Sequence, residues 1–269
     1  MAGNAYLGLP HVFATTGWLG GIILITVVGT LNIYTMRMNL TLADVYPETR
    51  SYSQIGAKIL GPRGKLFVDA AIWFVQLSLC CGFIYFIGEQ IEHLVCINSG
   101  YCGHSNLYIM LLLVPTLPIS WVESYTFLSY FSMVGLAVAL CAIGAMIGYC
   151  GQAMGTESGC DPEKSACEIK VFDGRQMLGH VGLAIFIFEG NAAVYNIRAE
   201  ARDKKAYPRI LTSAVSTFIV IYAAFGTIGY LCFREQSSHI FPLSFHGDNI
   251  FFQLIIVGVC FNCFISYPV

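Results

Sequence analysis

The chain has 269 residues, a formal net charge of −2 and a charged fraction of 11%, while 56% of its residues are hydrophobic. Soluble domains are about a quarter charged, because polar side chains must cover their surface. This composition argues against a soluble enzyme or a nucleic-acid-binding protein and predicts an all-α polytopic membrane protein.

Eight apolar segments are predicted as spans, since a spanning helix needs about 20 mostly apolar residues. The first is too short to cross a bilayer as a continuous helix. A polar stretch at 39–64 and a long polar loop at 151–177 interrupt the series. The spans are predicted at about 3–15, 17–38, 66–94, 106–121, 126–150, 179–197, 209–233 and 250–269.

The positive charges orient these spans. No Lys or Arg occurs between Lys65 and Lys164, and ten of the 14 lie in the stretches 37–65 and 198–209. Cytoplasmic loops carry an excess of Lys and Arg. We therefore expect the N-terminus in the cytoplasm and the loop 151–177 on the opposite side, outside the cell or in an organelle lumen.

The two ends of the chain lack polar flanks. The first apolar segment begins directly after Met1, and the last residues, 266–269, follow an apolar run without a polar tail. No basic region precedes the first apolar run, so a signal peptide is not predicted. The expectation is a chain that is truncated at both ends.

The first segment reads GNAYLGLP from Gly3 to Pro10. Small residues and a proline inside an apolar run disfavour a continuous helix. An unwound segment at mid-membrane frees backbone N–H and C=O groups that can hold a substrate. The alternative is close helix packing through small residues, and the pattern alone favours that alternative.

The sixth span reads AIFIFEGN from Ala184 to Asn191, with Glu189 near its centre. A carboxylate inside a membrane is costly and therefore indicates a function. Its roles could be to carry a proton, to pair with a substrate ammonium group or to cap a broken helix. The alternative is a protonated Glu189 bonded to a neighbouring helix. Two interrupted helices that open successive five-helix blocks are typical of inverted-repeat transporters.

These motifs, taken in order, carry a resemblance to a known family. Gly3–Pro10 resembles the G-x-G-x-L-G-L-P element of the amino acid/auxin permease family, the proton- or sodium-coupled amino acid transporters of the APC superfamily. LGPRGKLFVD at 60–69 resembles the start of that family's third span. Ala184–Gly190 with YPRIL at 207–211 is similar to its sixth span and following loop, and GTIGYLCF at 226–233 to its seventh span.

The resemblance implies a leucine-transporter-like fold of two inverted five-helix repeats, present here for about spans 1–8 of 11. One transporter domain would cover 1–269, with a first repeat at about 1–150, the loop at 151–177 and a partial second repeat at about 178–269. The implied function is secondary active transport of an amino acid by alternating access, coupled to protons or alternatively to sodium. The implied surroundings are the plasma, vacuolar or lysosomal membrane, and no cofactor, enzymatic activity or nucleic-acid partner is expected.

The family's substrate site lies between the interrupted spans 1 and 6. Glu189 is also the candidate coupling residue. Ala5 stands where the family usually has glycine, Asn196 replaces a frequent proline, and Arg198 replaces a frequent acidic residue. By resemblance, the substrate-binding residues are Gly3, Asn4, Ala5, Tyr6, Leu7, Phe188, Glu189 and Gly190.

Four cysteines lie in loops on the side predicted to be non-cytoplasmic, where disulfides persist. Cys96 and Cys102 lie in one loop, and Cys160 and Cys167 lie in the other. Three pairings are open to them. The resemblance implies a bridge between the two loops. A zinc site is the alternative, although the spacings are not C-x-x-C, and no metal is predicted.

Two other functions stay open. A sensor or receptor built on a transporter fold would keep the site and signal through a long cytoplasmic extension. A non-functional fragment of a transporter would do neither. Phosphate-binding loops, zinc-protease helices and G-x-S-x-G motifs, which would indicate an enzyme, do not occur in the sequence.

Overall fold

The structure is a computed structural model that describes residues 4–49, 51–100, 102–119, 125–155, 169–191, 193–201, 203–234 and 250–266. All regular structure in these ranges is helical. It begins with a 3-10 turn at Asn4–Gly8. The α-helices are α1 (Leu9–Thr16), α2 (Trp18–Val45), α3 (Tyr52–Ser99), α4 (Ser105–Ile119), α5 (Tyr125–Gly155), α6 (Gly174–Gly179), α7 (Val181–Ile187), α8 (Ala193–Glu200), α9 (Tyr207–Phe233) and α10 (Ile250–Ser266).

Several of these helices have the length and composition of membrane spans. Within the described ranges, four are long and apolar enough to cross a membrane: α2, α3, α9 and the part Met133–Gly151 of α5. The apolar helices α4 and α10 are shorter. Large apolar side chains point outward, such as Trp73 and Phe74 of α3, which are 78% and 74% exposed. Lipid tails would cover such a surface, which supports the prediction of a polytopic membrane protein.

The stretch 39–64, predicted as a polar interruption, is largely helical. Helix α2 continues to Val45, seven residues beyond the predicted end of the second span at 38. Leu40 is buried against Val194 of α8, and Ala43 against Tyr195. These apolar contacts hold the last turns of α2 in helical form, because they bury side chains that a loop would leave exposed.

Helix α3 is kinked before its apolar part. Gly61 adopts φ 73° and ψ −168°, which interrupts the helix between 52–60 and 62–99. Pro62 follows and has no N–H to continue the hydrogen-bond ladder. The predicted start of the third span at 66 therefore lies within the segment that follows this kink.

The helices pack in two groups. The first contains α1, α2 and α6 to α9, and in the second α3 packs against α4 and α10 while α10 packs against α5. Helix α5 also packs against α9 and thereby joins the groups. Buried residues of α5 and α10 complete the core around α1.

Phe13 lies where α1, α2 and α9 meet. Its side chain is fully buried. A Cβ atom at Gly21 of α2 would come within 2.5 Å of its ring, and one at Gly226 of α9 within 2.6 Å. The two glycines therefore leave the space that lets an aromatic ring fill the junction of three helices.

Residues 169–173, here called the strap, join α1 to α2 at the end of the long loop. The N–H groups of the first two residues of α2 donate to the carbonyls of Lys170 and Val171, at 3.2 and 3.1 Å. The N–H of Asp173 donates to the carbonyl of Thr16, the last residue of α1, at 2.8 Å. The strap thereby satisfies backbone groups that helix ends leave without intrahelical partners.

Two further contacts fix the strap. The backbone N–H of Lys170 donates to the hydroxyl of Tyr230 in α9 at 2.9 Å. The side chain of Asp173 caps α6 by accepting from the N–H groups of Arg175 and Gln176, and it pairs with the Lys170 ammonium group at 3.0 Å. Hydrogen bonding to Lys170 and to the backbone of Gln176 lowers the pKa of this carboxyl.

Candidate functional site

The chain is unwound before α1. Residues Asn4–Gly8 form a 3-10 turn, and the α-helix begins at Leu9 with Pro10 in its first turn. Proline suits this position because the first N–H groups of a helix have no intrahelical acceptor. Gly3 and the Asn4 side chain lie outside the described residues. The described part of the segment is thus interrupted, although the GNAYLGLP pattern alone favours close helix packing through small residues.

The sixth span is also interrupted. Helix α7 ends at Ile187 and α8 begins at Ala193. The N–H groups of Phe188 and Glu189 donate to carbonyls only three residues back, at 3.2 and 3.3 Å, which closes the end of α7. Gly190 then adopts φ 153°, a value that L side chains rarely adopt. Glu189 and Gly190 thus lie at the break between two half-helices.

Helix α2 contacts this break through polar side chains. The Nδ2 group of Asn32 donates to the carbonyl of Phe188 at 2.7 Å. The hydroxyl of Thr35 donates to the carbonyl of Asn32 at 2.9 Å and lies 3.5 Å from Oδ1 of Asn191. The polar residues of α2 therefore hold the end of α7 in place of the missing helical partner.

The two interrupted segments meet at an aromatic cluster on α9. The ring of Tyr6 stacks on that of Tyr222, with centroids 5.9 Å apart and planes at 7°. Phe188 packs against the same Tyr222 at 5.9 Å, and Phe225 packs edge-on against Tyr6 at 6.0 Å. The structure thus brings Tyr6 and Phe188, two of the residues named by the resemblance, against one ring, that of Tyr222.

The other residues named by the resemblance differ in their surroundings. Leu7 is buried in the main core, and Ala5 packs against that core while staying partly exposed. Glu189 is half-buried, and no described residue forms a hydrogen bond or an ion pair with its carboxylate. Leu7 therefore contributes packing in this structure, while Glu189 is a polar group at the break.

Two buried polar atoms beside the breaks have no hydrogen-bond partner among the described residues. They are the hydroxyl oxygen of Tyr6 and the Oδ1 atom of Asn32. An unsatisfied buried polar group costs about 1–3 kcal/mol. Such a cost is tolerated where a ligand supplies the missing partner, so the breaks offer a hydroxyl group and an amide oxygen for binding.

Helix α8 is fixed to the end of α2 by Arg198. Its guanidinium group pairs with the carboxylate of Asp44 and donates to the carbonyl of Leu40 at 3.3 Å. The Arg198 side chain is only 12% exposed, whereas that of Asp44 is 66% exposed. Next to it, the buried Tyr195 packs against Tyr52 at 5.6 Å. The arginine that departs from the family pattern therefore joins the second half of the sixth span to α2.

The disulfide in the described residues lies within one loop. Cys96 is bonded to Cys102, with Cα atoms 4.7 Å apart. Gly100 and Gly103, with φ of 72° and 87°, turn the chain back on itself. The Glu92 carboxylate holds this turn by accepting from the N–H of Gly103 at 2.6 Å.

The bridge between loops that the resemblance implies is therefore wrong for Cys96 and Cys102, because these two are bonded to each other across a local turn. Cys160 and Cys167 lie outside the described residues. In the part of the chain that the structure describes, no three His, Cys, Asp or Glu residues are grouped so as to hold a metal ion.

Interrupted apolar helices that meet around buried polar groups define a helical membrane protein with an internal site. The family of transmembrane amino acid transporter proteins matches residues 1–269, and the chain belongs to this family. Its interrupted first and sixth spans are the segments whose motifs resemble that family.

Three relatives from Arabidopsis thaliana match the whole chain. Amino acid transporter AVT3C is 26% identical over 291 residues, with 65% of its own length covered. Amino acid transporter ANT1 is 27% identical over 278 residues, with 62% covered. Amino acid transporter AVT3A is 24% identical over 278 residues, with 63% covered. The chain thus spans less than two thirds of the length of these relatives.

Proposed function

We propose that the protein is a secondary active transporter of amino acids and that its substrate lies between the turn Asn4–Gly8 and the break after α7. The observation that carries this proposal is the meeting of the two interrupted segments at Tyr222. Buried polar atoms without a hydrogen-bond partner among the described residues lie beside both segments. The family and the names of the relatives, all amino acid transporters, support the substrate class.

The proposed substrate is a zwitterion, and the two interrupted segments offer complementary groups. N–H groups of the unwound first segment suit its carboxylate, while carbonyl groups at the two breaks suit its ammonium group. The substrate side chain would contact the aromatic cluster of Tyr6, Phe188 and Tyr222. Leucine-transporter-like binding of this kind needs no cofactor.

The helix packing supports transport by alternating access. The group that contains α1, α2 and α6 to α9 carries both breaks, while α3 packs mainly against α4 and α10. Rocking of the first group against the second, about the contact of α5 with α9, would open the site to either side. The excess of Lys and Arg supports an N-terminus on the cytoplasmic side of the membrane.

Glu189 is the proposed site of proton coupling. It lies at the break, half-buried, with no described hydrogen-bond partner to fix its charge state. A carboxyl group in such a place can load a proton on one side of the membrane and release it on the other. Sodium is the alternative coupling ion.

Uptake of labelled amino acids into vesicles that contain the full-length protein tests the proposal. An inward proton gradient should drive uptake, and Glu189→Gln should remove the dependence on that gradient. Glu48→Gln is the matched control, because Glu48 is 81% exposed and pairs only with Lys58 at the surface among the described residues. Gradient-driven uptake that survives in Glu189→Gln would remove Glu189 from the coupling mechanism.

The same vesicles separate transport from the two other functions. Uptake that depends on a sodium gradient and not on pH would show that the protein is a transporter coupled to sodium and not to protons. Saturable binding of an amino acid without any uptake would favour a sensor or receptor. Absence of both binding and uptake would refute the proposed function.

A further inference from the structure

The orientation of the Asn32 amide is determined by its neighbour. Its nitrogen lies 2.7 Å from the carbonyl oxygen of Phe188. An amide oxygen at that distance from a carbonyl oxygen would be repelled, so the NH₂ group must face Phe188. The Oδ1 atom is therefore directed elsewhere, and it is buried without a hydrogen-bond partner among the described residues.

Two acceptors at the break in the sixth span have no donor among the described residues. They are Oδ1 of Asn32, which is buried, and the half-buried Glu189 carboxylate. The hydroxyl of Thr35 on α2 lies 2.9 Å from the carbonyl of Asn32 and 3.5 Å from Oδ1 of Asn191, so its single proton is already engaged. Buried acceptors are satisfied by donors in almost all proteins, so a surplus of them favours a ligand that only donates.

We propose that Oδ1 of Asn32 accepts a hydrogen bond from the ammonium group of the substrate, while Nδ2 of the same residue positions the break at Phe188. An ammonium group has three donors and no acceptor, which complements the surplus of acceptors. The proposal rests on the proposed function, because it assigns a binding residue to that site. It adds a contact from α2, a helix outside the two interrupted segments.

The two roles of Asn32 can be separated by two substitutions. Asn32→Ala removes both the acceptor for the ammonium group and the donor to Phe188. Asn32→Asp keeps an acceptor oxygen but removes the donor, and it places a carboxylate oxygen against the Phe188 carbonyl. Only the first substitution should remove the preference for a ligand that carries an ammonium group.

The experiment compares an amino acid with its analogue in which hydrogen replaces the ammonium group. Both are measured as competitors of labelled uptake by the full-length protein in vesicles. Asn32→Ala should lower the affinity for the amino acid by about 10- to 100-fold, the range for loss of a hydrogen bond to a charged group. The affinity for the analogue, which never made that bond, should change by less than about twofold from this cause. Asn32→Asp should lower the affinity for both ligands through the lost donor, but it should raise the preference for the amino acid over the analogue, because a charged oxygen binds an ammonium group more strongly than an amide oxygen does.

Thr30→Ala is the matched control. Thr30 lies two residues away on the same helix, is exposed, and donates to the carbonyl of Thr26 within that helix at 2.7 Å. It should change neither affinity. Size-exclusion profiles in detergent show whether each variant is folded, and Asn32→Asp carries the test if Asn32→Ala does not fold.

Each other outcome overturns the proposal. Equal losses of affinity for the amino acid and the analogue in Asn32→Ala, or an unchanged preference for the amino acid in Asn32→Asp, would leave Asn32 with a structural role only. Restoration of the Asn32→Ala defect by added sodium would assign the oxygen to a cation other than the ammonium group. If the wild-type protein itself binds neither ligand, the proposed function is refuted. This outcome differs from a failure of the Asn32 proposal, because it is seen without any substitution.

Discussion

Replacing Gly21 by alanine is expected to displace Phe13 and destabilise the helix bundle. The new Cβ would lie 2.5 Å from Cδ2 of the ring, against an ordinary contact distance of 3.4 Å or more, so the ring must shift by about 0.9 Å. The ring also lies close to α9, where a Cβ at Gly226 would come within 2.6 Å of it. Overpacking of this kind costs about 1–3 kcal/mol.

Thermal unfolding of the purified full-length protein in detergent measures this cost. Gly21→Ala should lower Tm by several degrees, since about 1 kcal/mol corresponds to roughly 2–4 °C in chains of this size. Gly144→Ala is the control, because a Cβ there meets nothing within 4 Å and alanine favours a helix. Phe13→Leu should recover part of the loss in the Gly21→Ala background.

Two results would refute this reasoning. If Gly21→Ala melts at or above the wild-type temperature, as Gly144→Ala is expected to do, the ring of Phe13 is not held between the two glycines. If Phe13→Leu adds its own full loss to that of Gly21→Ala, the two sites do not interact, because coupled neighbours give non-additive changes.

Three further predictions concern other parts of the molecule. Gly190→Ala should lower the uptake rate, because a φ of 153° strains an L residue by about 1–3 kcal/mol, and unchanged uptake kinetics would contradict this. Arg198→Asp should lower Tm, and addition of Asp44→Arg should restore at least part of it; no restoration would mean that the ion pair does not stabilise the fold. The ion pair with Lys170 lowers the pKa of Asp173, so the ionised carboxylate stabilises the folded state at neutral pH. This contribution is lost as the pH falls through the lowered pKa. The Tm advantage of wild type over Asp173→Asn should therefore persist at neutral pH and close below 3.8, and a gap independent of pH would contradict it.

The interruptions in the first and sixth spans could be predicted because their signals are local. Pro10 stands inside a short apolar run, and Glu189 with Gly190 stands inside a longer one. Such residues disfavour a continuous helix whatever its neighbours are, although they do not always end it, since α4 contains Pro115 and Pro118. The structure accordingly has a 3-10 turn before α1 and a break between α7 and α8.

The contacts that complete the site could not be predicted, since they depend on tertiary packing. Asn32 is separated by 156 residues from Phe188, the residue whose carbonyl it bonds. In the sequence it is one of two asparagines in a mainly apolar helix, with no periodic signal to identify its partner. The same holds for Tyr222, one of several aromatic residues of α9, whose role is visible only when Tyr6 stacks on it.

The end of α2 and the pairing of the cysteines are hard to predict from the sequence for a related reason. The extension of α2 to Val45 depends on burial of Leu40 by residues far along the chain. The Cys96–Cys102 bond depends on a turn whose glycines adopt positive φ, and hydropathy carries no information on such a turn. In both cases the sequence pattern is compatible with more than one local geometry.

The strap at 169–173 has a consequence for how freely this part of the chain can mutate. Its three bonds to α1 and α2 join backbone to backbone, so side chains at 170 and 171 can change without breaking them. Gly17 is the exception, with φ 81° and no room for a Cβ, which would lie 2.5 Å from the carbonyl carbon of Val171. Mutational tolerance should therefore be high at Val171, lower at Lys170 and Asp173 because of their ion pair, and nearly absent at Gly17.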